Sequence, residues 1–241
     1  MHKAMRATLK SKKHTVRPDD EILPGVTYGR PEWVPSPAFW AALVAQEGPD
    51  GDAYVSPPGT PLIEDVAFCI LGGYGVKMEV NRAAFKRISE SGMLNEGWEP
   101  KSEDIEALLR IPLDVAGRKV RYRFPRQKAL RLAEAIRRVR EFPPFSDDAR
   151  ACRDALMALP GVGPKTASWI VRNWRGSNEV AILDIHVMRA GQIIGLFPQD
   201  ARLPRDYGVL ESRFLEFAEA LDVPASLLDA IMWREMRVLT R

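Results

Sequence analysis

Two residues stand out for what their side chains could do together. Lys165 follows directly on the turn Leu159-Pro160-Gly161-Val162-Gly163-Pro164, and Asp184 comes nineteen residues later, at the end of the apolar run Val180–Leu183. A lysine amine that has shed its proton is a nucleophile able to form a Schiff base. A carboxylate nearby can stabilise positive charge as that happens and relay protons. Gly161 and Gly163 allow backbone conformations closed to other residues and let the chain approach a ligand closely. Exposed amides at the start of the following helix form an anion site suited to a phosphate. The same residues also admit plainer roles: a solvated lysine in a first helical turn, an aspartate N-cap, a tight corner between two helices.

Periodicity predicts helices around all of these positions. Ser36–Gln46 has Pro37 in its first turn, where proline is tolerated. Leu62–Leu71 is almost wholly apolar at its end, and Lys77–Ser89 turns Met78, Phe85 and Ile88 inward; the glycine-rich Gly72-Gly73-Tyr74-Gly75 separates them. Ser102, Glu103 and Asp104 read as a helix start, a capping hydroxyl followed by acids that suit the positive end of the dipole. Helix Glu103–Arg110 follows, then Pro125–Arg140, with Leu132, Ile136 and Val139 on one face. Further helices are predicted over Ser146–Ala158, Lys165–Trp174, Ile185–Ile194 (begun by Asp184), Val209–Leu221 and Ala225–Leu239. No internal repeat and no alternating strand pattern is found, so the fold class is all-α.

Charge is distributed unevenly. The net charge of +3 is small, but Arg118–Arg140 holds Arg118, Lys119, Arg121, Arg123, Arg126, Lys128, Arg131, Arg137, Arg138 and Arg140 against the single acid Glu134. Residues 1–20 read as a flexible basic arm. Such clustering is what a phosphate-backbone footprint looks like, although a solvated helix face would read the same way. No apolar run approaches the ~18–20 residues of a membrane span. Met1–Arg17 lacks the apolar stretch of a secretory signal, which makes the cytoplasm the expected location. Cys69 and Cys152 stand in unrelated contexts, and His2, His14 and His186 do not join them, so neither a metal nor another cofactor is expected.

The string Leu-Pro-Gly-Val-Gly-Pro-Lys-Thr-Ala at 159–167, followed by Ala-Ile-Leu-Asp-Ile-His at 181–186, resembles the helix-hairpin-helix DNA glycosylase superfamily. Hairpin, lysine and aspartate occur in the family's order and spacing, and the resemblance runs from about Leu62 to the C-terminus. The stretches 167–173 and 228–233 resemble the compact archaeal and bacterial 8-oxoguanine DNA glycosylase/AP lyases in particular. The resemblance implies two helical lobes with a DNA-binding cleft between them, one lobe from residues 85–187 and the other from 21–84 and 188–241. It implies that Lys165 attacks C1′ of the deoxyribose, that Asp184 assists, and that Gly161, Val162 and Gly163 hold DNA. It further implies excision of an oxidised purine from duplex DNA, then β-elimination, by a monomer working on the nucleoid.

Extruding a base requires a wedge to fill the gap. The family's wedge follows its first long buried helix, which makes Tyr74 the candidate here, with Lys77 and Asn81 as further DNA contacts. Trp169 and Trp233 are candidates to stack on an extruded purine. The chain departs from its relatives at three places. The eukaryotic branch has a cysteine where Trp169 stands, the compact branch ends in a lysine where this chain has Arg241, and the iron–sulfur cysteines of endonuclease-III-like relatives are absent. The departures leave open a glycosylase for a modified base in genome defence. A non-catalytic DNA-binding protein built on the hairpin alone fits the Lys165/Asp184 pairing poorly.

Overall fold

A computed structural model describes residues 16–48, 51, 54–73, 75–99, 101–142 and 145–239. Among them the chain forms ten helices: α1 (Pro37–Glu47), α2 (Leu62–Leu71), α3 (Met78–Glu90), α4 (Ser102–Arg110), α5 (Pro125–Glu141), α6 (Ala149–Leu156), α7 (Pro164–Arg175), α8 (Ile185–Ile193), α9 (Tyr207–Ala220) and α10 (Ala225–Leu239). The class is the expected one, all-α. Two short antiparallel hairpins were not anticipated: β1 (Glu21–Leu23) with β2 (Val26–Thr27), and β3 (Leu113–Val115) with β4 (Arg118–Val120). Each strand is too short to show a period of two. The second turns on Ala116 and Gly117, both at positive φ, the geometry that matches strand twist in a two-residue hairpin loop. No described helix is long and apolar enough to cross a membrane.

Local chemistry explains most element boundaries. Ser36 caps α1 by accepting from the Phe39 amide at 3.0 Å, and Asp148 caps α6 by accepting from the Arg150 and Ala151 amides. Ser102 does not play the expected capping part. The cap position falls on Lys101, and the Ser102 hydroxyl turns instead to the Glu103 carboxylate at 3.1 Å. Of the expected arm, residues 1–15 lie outside the described residues. Arg17–Asp20 form a turn stitched to the first hairpin through Tyr28 N to Asp20 O and Gly29 N to Pro18 O.

Two hydrophobic cores divide the chain between Val180 and Ala181. One gathers buried residues of α2 to α7; the other joins β2 and α1 to α8, α9 and α10. This division differs from lobes cut at 85 and 187. In α2, Val66, Ala67, Cys69, Ile70 and Leu71 are all buried, so the helix must be enclosed, and it packs on α3, α5 and α7. Ala181, Leu183 and Val187 belong instead with α10 and α9. Both cysteines are free and buried, as packing residues.

Glu211 on α9 joins the two cores. One carboxylate oxygen accepts from the Ser168 hydroxyl of α7 at 2.9 Å and from the Ala181 amide at 3.0 Å; the other pairs with Arg153 of α6 at 2.7 Å. Removing one partner of a buried ion pair leaves the other charge uncompensated. Glu211→Ala is therefore expected to lower unfolding free energy by ~3–5 kcal/mol. Denaturant titration checks this, and a loss below ~1 kcal/mol, the worth of an exposed pair, would show that the joint is dispensable.

Candidate functional site

The two cores face each other across a cavity of about 1380 Å³. Lys165 and Asp184 both line it, one from each side of the division. The turn before α7 reaches its shape through Gly161, at φ +77°, which also lies so close to Arg131 of α5 that a Cβ would come within 2.5 Å of that side chain. Val162 buries its side chain in the first core. Gly163 occupies the cap position of α7 with no side chain capping the helix, and Pro164 at the first helical position has no amide to satisfy. Lys165 then emerges in the first turn, half-buried, with its Nζ 5.7 Å from the centroid of the Trp169 ring.

Asp184 is the N-cap of α8. Its Oδ1 accepts from the His186 amide at 2.8 Å and the Val187 amide at 3.0 Å, which fixes the carboxylate at the positive end of the helix. The extended segment before it is held by side chains of the second core. Besides the Ala181 amide bonded to Glu211, the Ala181 carbonyl accepts from the Tyr207 hydroxyl at 2.6 Å. The Ile182 amide donates to Asp229 Oδ2 at 2.9 Å, and the Leu183 amide to the Tyr207 oxygen at 3.4 Å. Burial pushes the Tyr207 hydroxyl well above the usual phenol range, so it stays a donor.

The candidate base-pocket residues fare differently. Trp169 is packed among Phe68, whose ring meets it edge-on at 5.8 Å, Lys165, and Gly72, where a Cβ would lie 3.0 Å from the indole. Trp233 also lines the cavity, edge-on to Tyr54 at 6.0 Å, and carries the Arg237 guanidinium over its ring at 4.6 Å. Lys77 and Asn81 line the same space. Tyr74 and Arg241 lie outside the described residues.

Asp65, Arg172 and Asp229 were not singled out from the sequence, whereas Asn81 was named there as a DNA contact. Buried side-chain polar atoms without a hydrogen-bond partner include Asp65 Oδ2, Asn81 Oδ1, Arg172 Nε and Asp229 Oδ1, and all four residues line this cavity. Asp229 Oδ1 faces the Arg172 guanidinium at 3.2 Å without hydrogen-bond alignment. Incompletely satisfied polar residues lining one concavity, two of them perturbed carboxyls, mark a candidate ligand site. Burial raises Asp229 to about 6 against the pull of Arg172 and the Ile182 amide. Asp65 is likewise raised to about 6, mainly by burial, although its Oδ1 accepts from the Ser56 hydroxyl at 2.7 Å. Asp65 and Asp229 stand at helical core positions in the sequence, where only a carboxylate interrupting an apolar face could have drawn notice.

The basic run also divides. Arg137 and Arg138 pair with Glu134, Arg138 also donates to the Ala158 carbonyl, and Arg140 donates to the carbonyls of Trp98 and Asn95. Arg131 packs on Gly161. Arg121, Arg123 and Arg126 are exposed, and Arg123 lines the cavity rim beside Gly75.

Lys165 after the hairpin and the N-capping Asp184 line one cavity between two helical cores, an arrangement consistent with the helix-hairpin-helix DNA glycosylase class. Residues 59–223 match the family model for 8-oxoguanine DNA glycosylase, and the chain belongs to that family. An 8-oxoguanine DNA glycosylase/AP lyase of Metallosphaera sedula is 34% identical over 118 residues, covering 46% of this chain and 57% of that relative. The chain thus matches little more than half of that relative's length. The Methanocaldococcus jannaschii 8-oxoguanine glycosylase/lyase, solved with a 15mer DNA containing 8-oxoguanine, shares the fold at TM-score 0.56 and 24% identity, covering 72% of this chain and 79% of that one. The 8-oxoguanine DNA glycosylase of Thermotoga maritima gives TM-score 0.54 and 24% identity, covering 80% and 88%.

The raised Asp65 carboxyl gives a stability prediction. A group with a folded-state pKa above its unfolded value stabilises at low pH, and that contribution is lost as pH rises through the folded value, here between about 4 and 6. Relative to wild type, Asp65→Asn should therefore become more favourable by roughly 2–3 kcal/mol from about pH 4 to about pH 7. Parallel thermal melts of the two proteins across that range would disprove the assignment if the difference stayed flat.

Proposed function

We propose that the protein excises an oxidised purine, 8-oxoguanine foremost, from duplex DNA and then cleaves the strand at the resulting site. The observation that carries this reading is the convergence of Lys165 and Asp184 on one cavity large enough for an extruded nucleotide. Membership of the 8-oxoguanine DNA glycosylase family supports the choice of base. Lys165 Nζ attacks C1′, the bond from C1′ to the base nitrogen breaks, and the base departs taking a proton. Loss of the amine's protons and opening of the sugar leave a Schiff base between Lys165 and C1′. Asp184 offsets the positive charge that develops on the sugar and moves protons between these steps. Removal of a C2′ proton then expels the 3′ phosphate by β-elimination.

Exposed backbone around Gly161 and Gly163 is suited to a DNA phosphate, and the loop at Gly72–Gly75 is suited to take the place of the extruded base, with Tyr74 as its wedge. Trp169 and Trp233 form aromatic walls; for a base to stack on the Trp233 face that Arg237 covers, Arg237 must move aside. Duplex DNA is the proposed partner, met by a single copy of the chain in the cytoplasm.

Borohydride should trap wild type covalently on an 8-oxoguanine duplex. Lys165→Gln should reduce trapping to background while a gel-shift assay still shows DNA binding. Failure of wild type to trap on any lesion or abasic duplex would overturn the lyase reading, and a panel of oxidised, alkylated and modified bases under single turnover identifies the preferred base. Neutralising Arg121, Arg123 and Arg126 together should weaken DNA binding and flatten its logarithmic salt dependence by roughly 1–3, about 0.9 for each phosphate that is no longer neutralised. An unchanged slope would show that this surface does not meet DNA.

A further inference from the structure

The C-terminus of α2 ends in an unusual way. Its cap residue, Gly72, is extended (φ −81°, ψ −163°), so no left-handed turn folds back to satisfy the last carbonyls. Side chains from distant stretches do so instead. Lys128 of α5 donates from Nζ to the Ile70 carbonyl and to the Gly72 carbonyl, both at 2.6 Å. The Tyr122 hydroxyl donates to the Leu71 carbonyl, and Asn81 of α3 donates to the Phe68 carbonyl at 3.1 Å. An ammonium at the negative end of a helix is favourable. Yet this one is half-buried, and burial, with Arg131 and Lys165 nearby, lowers it to about 8. Holding a cation there against burial and two like charges is a costly way merely to end a helix.

What these bonds fix is the root of a loop. Gly73 and Gly75 follow at φ +100° and +79°, and Gly72, Gly73 and Gly75 all line the cavity. Gly72 itself has no room to move. A Cβ there would lie 2.9 Å from Asn81 and 3.0 Å from Trp169, the residue over which Lys165 Nζ sits. Lys128, Gly72, Trp169 and Lys165 thus form one contiguous chain from α5 to the nucleophile.

We propose that Lys128 is a positioning residue for base extrusion, its ammonium anchoring Gly72 so that Gly72 and Gly73, which line the cavity, bear on the DNA stack without yielding. The inference rests on the glycosylase reading above, since only an enzyme that extrudes its base loads this loop. Unstacking a base takes work, and a loop whose root slides delivers less of it. An abasic site, with no base to extrude, does not make that demand. Tyr122 supports the same root through Leu71.

The test compares two substrates. Lys128→Met keeps the length of the side chain and removes the donors. On an 8-oxoguanine duplex, its single-turnover excision should fall roughly tenfold to hundredfold, the weight of a hydrogen bond to a charged group. The fluorescence rise of a 2-aminopurine placed beside the lesion should shrink with it. Borohydride trapping on a preformed abasic duplex should keep its wild-type maximal rate, read at the plateau of its pH profile. Tyr122→Phe, a milder change, should show the same split in smaller degree and stands in if Lys128→Met does not fold. Equal losses on both duplexes, or no loss on either, would overturn the proposal. Absence of excision by wild type would instead overturn the glycosylase reading.

Discussion

The segment Val180–Asp184 crosses from one hydrophobic core to the other, and its backbone must be satisfied while buried. Glu211, Tyr207 and Asp229 supply the partners, taking up the Ala181, Ile182 and Leu183 amides and the Ala181 carbonyl. An unpaired backbone group here would cost as much as a lost hydrogen bond. These side chains therefore fix a path that a loop of ordinary sequence would not keep. Because Glu211 also holds Ser168 of α7 and Arg153 of α6, the crossing and the hairpin helix are set against each other by one carboxylate. The spacing of Lys165 from Asp184 across the cavity follows from that arrangement.

The largely apolar lining of the cavity between the cores is interrupted by a few polar residues that are not fully satisfied. Asp65, Asn81, Arg172 and Asp229 line it, each with a buried side-chain atom that lacks a hydrogen-bond partner, and two of them are carboxyls held near 6 by burial. A protein selected only for stability would replace such groups with apolar residues of similar volume. Their presence beside the lysine and the capping aspartate fits a ligand site. The aromatic walls are less open than their residue types suggest, since Trp169 is enclosed by Phe68, Gly72 and Lys165, and Arg237 covers a face of Trp233.

Electrostatics on α5 show how a charge run can serve two ends. Arg131, Arg138 and Arg140 secure the hairpin and the 95–98 turn from outside, which is fold rather than recognition. Toward the start of the helix Arg121, Arg123 and Arg126 stand exposed, and Arg123 lines the cavity. Lys128 lies between the two groups and turns its charge inward to the end of α2.

The sequence by itself determined the helical class, most helix positions and the hairpin, and it put Lys165 and Asp184 forward as a pair. Each is written in local terms: the 3.6-residue apolar period, glycines where backbone freedom is needed, an aspartate at a cap. It misread Ser102 as a cap and missed both hairpins, because a cap and a three-residue strand are decided by which backbone groups lack partners. Only the tertiary structure decided that α2 belongs with the central core, because an apolar helix can be enclosed from many directions and sequence does not say by which neighbours. The same holds for Asp65, Asp229, Tyr207, Glu211 and Lys128. Their roles arise from carbonyls, amides and charges brought to them from distant parts of the chain, and burial, which a linear pattern does not carry, sets their chemistry.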